Sequence, residues 1–105
     1  MCRMMEIVEK YGAEYMLRQL AEECTELAQA SLKLIRSRRK ETPMREDEAT
    51  EKFMEEMADV SLMMQMVFDC MLTPEMSKCI GDIYERKENR MYDRMLGGKM
   101  EEDVW

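Results

Sequence analysis

In this chain of 105 residues two acidic pairs three positions apart sit beside apolar stripes: Glu23 with Glu26, and Glu56 with Asp59. On a helix such residues are neighbours on one face, about 5–6 Å apart at Cβ. If the two helices that carry them fold as an antiparallel hairpin, the segments Glu23-Cys24-Thr25-Glu26 and Glu56-Met57-Ala58-Asp59 bring four carboxylates together. Left bare, those charges repel one another, and a hard divalent cation with oxygen ligands relieves them. The chain has no His, and Cys2, Cys24, Cys70 and Cys79 contain no C-x-x-C pair. Mg²⁺ or Mn²⁺ therefore suits the available donors better than Zn²⁺. A single E-x-x-E is ordinarily a solvated surface feature, because Glu is mostly exposed. What is unusual is two such pairs, each set beside an apolar stripe.

The absence of His also excludes a Ser/His or Cys/His nucleophile pair and an imidazole base. Catalysis has to rest on carboxylates, amines, hydroxyls, thiols or a bound metal. Fifteen Met against four Gly, two Pro and 7% aromatic residues is a helix-former's composition. The breaks are few: Gly12, Glu41-Thr42-Pro43, Thr73-Pro74 and Gly97-Gly98. They predict one small all-α domain over residues 1–105, an antiparallel bundle of three long helices near 13–39, 46–72 and 75–96. A short helical turn precedes Gly12 and a tail follows from 97 to 105. Three helices make a thin bundle with a modest core, which favours completion by another copy of the chain.

Winding each helix at 100° per residue places the acids. In the first, Ala13, Leu17, Leu20, Ala21, Cys24, Leu27, Ala28, Ser31 and Ile35 form the apolar stripe. Glu23 lies on its margin among Met16, Leu20, Leu27 and Leu34, Glu26 sits beside Ala30 and Lys33, and Glu22 points toward solvent. The second helix is apolar almost all round from Met57 to Leu72, with Gln65 and Asp69 as its solvated edge. Asp59 falls instead with Met63, Met66 and Cys70, where an ionised carboxylate needs a partner or a cation. In the third, Met76, Ile80, Ile83, Tyr84, Met91 and Met95 form a stripe holding Lys87 and Arg94, with Arg90 on its flank. Those cations either meet an anion or extend their heads to water past apolar surface.

The formal charge of -7 argues against a nucleic-acid surface, which draws its affinity from Lys and Arg. No apolar run reaches a membrane span, and Met1 to Glu6 lacks a signal peptide's apolar segment. With no disulfide framework in the cysteine spacing, a cytoplasmic setting is expected.

The stretches Glu22-Glu23-Cys24-Thr25-Glu26-Leu27 and Glu55-Glu56-Met57-Ala58-Asp59-Val60 resemble the all-α nucleoside triphosphate pyrophosphohydrolases of the MazG-like superfamily. Lys10-Tyr11-Gly12-Ala13-Glu14 and Glu85-Arg86-Lys87-Glu88-Asn89-Arg90 are similar to its small members, so the likeness covers residues 9–96. It implies hydrolysis of a nucleoside triphosphate to the monophosphate and pyrophosphate, in nucleotide-pool house-cleaning. Mg²⁺ would be held by Glu23, Glu26, Glu56 and Asp59, with Glu23 or Glu26 as the base. Lys87, Arg90 and Lys33 would hold phosphate oxygens, Lys87 also stabilising developing charge. A homodimer or homotetramer is the implied assembly. Aromatic residues that select the base in some relatives have few counterparts here beyond Phe53, Phe68, Trp105 and four Tyr, so base specificity stays open. Phosphoribosyl-ATP pyrophosphohydrolases of histidine biosynthesis share the acidic helices and are the enzymatic alternative. A non-catalytic helical dimerisation module is the alternative of another class.

Overall fold

The computed structural model describes residues 3–97, which form three helices and, among the described residues, no strand: α1 (Arg3–Arg38), α2 (Glu46–Cys70) and α3 (Pro74–Leu96). The all-α class is as expected. The chain divides into two compact units, Met1–Met71 and Leu72–Trp105. Among the described residues, no helix is long and apolar enough to cross a membrane. The expected tail beyond Gly97, with Trp105, lies outside the described residues.

In the first unit α1 and α2 pack against each other as an antiparallel hairpin. Arg38 pairs with Glu46 beside the loop, the two acidic pairs meet midway, and Arg3 and Met4 share a cleft with Asp69 and Cys70 at the far end. The helix begins at Arg3, well before the turn expected ahead of Gly12. It is kinked there, because Gly12 adopts φ 86°, ψ 166°, a conformation open essentially only to glycine. α1 ends in a Schellman motif: Glu41 N–H donates to Arg36 O at 2.9 Å and Lys40 N–H to Ser37 O at 3.1 Å. Lys40 takes the left-handed position at φ 58°. The buried Ser37 hydroxyl donates to Met44 O at 3.3 Å, tying the loop back to the helix. α2 then opens with Glu46, Asp47 and Glu48 in its first turn, where the helix dipole favours negative charge.

The seam between these helices differs from the stripe expected on α1. Its least exposed positions are Met16, Leu20, Glu23, Leu27, Ala30, Leu34 and Ser37, alternately four and three residues apart. On α2 the matching series is Ala49, Phe53, Glu56, Val60, Met63, Val67 and Cys70, with Met66 buried alongside. This is the spacing of helices that interlock along a shared seam. Ala30 and Ala49 are both buried. Leu20 and Leu27 of the expected stripe lie in this seam, but Leu17 (51% exposed), Ile35, Ala21, Cys24 and Ala28, about 100° further round by winding, face outward. α1 has two adjacent apolar faces, and the hairpin covers one.

In the second unit α3 is capped by Thr73, whose hydroxyl accepts from Met76 N–H at 3.1 Å, and Pro74 opens the helix. Along it Ser77, Ile83, Lys87, Met91 and Arg94 are half-buried. Met76, Ile80, Tyr84 and Met95 of the expected stripe are exposed.

Candidate metal centre

The hairpin sets Glu23 and Glu56 at seam positions, where two apolar side chains would otherwise meet. Glu26 and Asp59 follow each by three residues and flank the seam. One carboxylate oxygen from each of the four lies within 4.8 Å of the other three. The convergence expected from the two E-x-x-[ED] pairs is therefore present. The distribution of burial is not as expected: Glu56 is the enclosed acid, at 3% exposure, while Asp59 is exposed. Winding α2 alone put Asp59 among apolar neighbours because nearly every neighbour on that helix is apolar. The seam register, which passes through Glu56, decided the matter.

The residues fit a divalent cation on a specific observation. Glu23 Oε2 and Glu56 Oε2 are buried and have no hydrogen-bond partner. A buried carboxylate oxygen without a partner is costly, and a cation supplies the missing interaction. Two oxygens on one Mg²⁺ lie at most about 4.2 Å apart, so small side-chain shifts would close the cluster. The donor set, all carboxylate oxygen, is that of a hard cation. Burial, then the negative charges of Glu26, Asp59 and Glu56, pushes the Glu23 carboxyl up from its ordinary 4.5.

One participant was missed from the sequence. Lys52, one turn before Glu56, places Nζ 2.9 Å from Glu56 Oε1 and 3.9 Å from Glu55 Oε2. Its hydrogen bond to Glu56, and the charge of that carboxylate, hold the ammonium above its ordinary 10.5. The signal was present as the i, i+4 spacing of Lys52 and Glu56, but it could be read only once Glu56 was known to be enclosed.

Of the expected phosphate ligands, Lys33 is brought to the cluster: it lines a cleft with Glu26, Gln29, Ala30, Lys52 and Glu56. Lys87 and Arg90 belong to the second unit, where they line a separate cleft with Ile83 and Arg86. Arg86 is a basic residue that the sequence reading had not singled out for this role.

Comparison with protein-family models, curated proteins and solved structures finds no match.

Proposed function

We propose that this chain is a Mg²⁺- or Mn²⁺-dependent nucleoside triphosphate pyrophosphohydrolase of MazG-like type. One observation carries the reading: Glu23, Glu26, Glu56 and Asp59 present mutually close oxygens, two buried oxygens in the set lack any partner, and an ammonium-lined cleft adjoins them. When bound, the cation neutralises phosphate charge and lowers the pKa of a coordinated water. The four carboxylates hold it. Glu23 or Glu26 accepts the proton of the attacking water, and burial with the neighbouring acids raises the Glu23 carboxyl from its ordinary value. Lys33 binds phosphate oxygens in the cleft, and Lys87 and Arg90, which line their own cleft in the second unit, are the other proposed phosphate ligands.

The assembly proposed is a homodimer or homotetramer. Met54, Met57, Met64 and Phe68 lie on one outward face of α2, and Leu17 and Ile35 on one of α1, all exposed in the single chain. Contiguous apolar surface of this kind marks a contact with another protein surface.

The test is pyrophosphate release from ordinary, deoxy and modified nucleoside triphosphates and from phosphoribosyl-ATP, with Mg²⁺, Mn²⁺ or EDTA. Metal-dependent release is expected, with Glu56→Gln and Asp59→Asn each losing at least about a hundredfold, equivalent to about 3 kcal/mol of barrier, while their far-UV circular dichroism is retained. The preferred substrate separates nucleotide house-cleaning from histidine biosynthesis. Unchanged turnover in Glu56→Gln overturns the site. Silence across the panel, in a folded protein that binds no Mg²⁺, leaves the non-catalytic dimerisation module as the better reading.

A further inference from the structure

Lys52 brings a positive charge of its own into the acidic cluster. Its Nζ occupies Glu56 Oε1 at 2.9 Å, on a carboxylate whose side chain is only 4% exposed, while the lysine side chain itself is 58% exposed. Glu56 is thereby divided: Oε1 is taken, and Oε2, buried, has no partner. Helix stability accounts for only part of the pairing, since Lys preceding Glu at i, i+4 is the weaker order of such pairs. What the ammonium does accomplish is to offset one of four clustered negative charges. Its flexible four-carbon stem lets it withdraw into the cleft it lines with Lys33.

We propose that Lys52 is a resident counter-ion of the cluster: its ammonium occupies Glu56 Oε1 when no divalent cation is bound, and is displaced from that oxygen when one binds. The inference rests on the metal-site reading above and adds a regulator to it, because the lysine opposes the cation for which the carboxylates are arranged. Without Lys52 the cation meets the full charge of the four acids, and the metal-free cluster loses its internal neutralisation. The two effects have opposite signs: tighter cation binding, and a less stable metal-free protein.

The experiment is titration of the full metal-free chain with Mn²⁺, followed by electron paramagnetic resonance of the unbound ion, together with urea unfolding in EDTA. Lys52→Met is expected to bind Mn²⁺ about tenfold more tightly than wild type, allowing for solvent screening of an exposed ammonium, and to unfold at lower urea without metal. Lys52→Arg, which keeps the charge, is expected to stay near wild type. Lys52→Gln serves as a second charge-removing variant. Equal or weaker Mn²⁺ affinity in both Lys52→Met and Lys52→Gln, with wild type binding normally, overturns this inference and leaves the metal site standing. Absence of Mn²⁺ binding in wild type and variants alike overturns both.

Discussion

Glu23 and Glu56 are the two charged residues in an α1–α2 seam that elsewhere holds Met, Leu, Val, Ala, Phe, Cys and Ser. That placement sets a cost on the metal-free fold, and its pH dependence follows from Glu23. Its carboxyl titrates above 4.5 in the folded protein and at its ordinary value in the unfolded chain, so between the two values the folded state binds more protons. Stability in EDTA should therefore rise as pH falls through the folded pKa toward 4.5, and the cost should be fully present above that pKa. Glu23→Gln is expected to be more stable than wild type at pH 7.5 and to lose most of that advantage near pH 4.5, as read from urea midpoints at both pH values. Protons and cation compete for the same oxygens, so Mn²⁺ affinity should weaken as pH falls through the same window.

At the scale of the element, two residues hold backbone conformations that most side chains resist. Gly12 kinks α1 at φ 86° with open space around the position where a Cβ would stand. Gly12→Ala meets no clash there, yet should cost about 1–3 kcal/mol from backbone strain alone, seen as a lower thermal midpoint. Lys40 is the converse case, a non-glycine residue at the left-handed position of a Schellman motif. Lys40→Gly should stabilise the hairpin by about 0.5–1 kcal/mol, the left-handed penalty less the added chain entropy, measured as a rise in urea midpoint. Gly12, Pro43 and Pro74 were legible as breaks because their backbone chemistry acts locally. The full length of the helix before Gly12 was not: residues 3–11 carry no decisive cap.

For the whole molecule, a chain with a formal charge of -7 still exposes Leu17, Ile35, Met54, Met57, Leu62, Met64 and Phe68 in its first unit. Light scattering behind size-exclusion chromatography should give a mass of two or four protomers. Met64→Lys, set in the middle of the outward α2 face, should shift that mass toward one protomer without loss of helicity. A wild-type protomer mass at micromolar concentration would overturn the proposed assembly.

The sequence by itself determined the all-α class, the three helices to within a few residues except at the start of α1, and the adjacency of Glu23 with Glu26 and of Glu56 with Asp59 on one face of each helix. Each of these depends on local chemistry: sparse breakers, helix-forming composition, and a three-residue spacing that any helix turns into adjacency. Only the tertiary structure decided which face of each helix is inside. α1 offers two apolar faces, and α2 is apolar nearly all round from Met57 to Leu72, so winding either helix alone leaves the seam undetermined. Taken together, the two four-and-three series settle it, because they share a register that brings Glu23 near Glu56. That register encloses Glu56 rather than Asp59, draws Lys52 onto it, and turns Leu17 and Met64 outward.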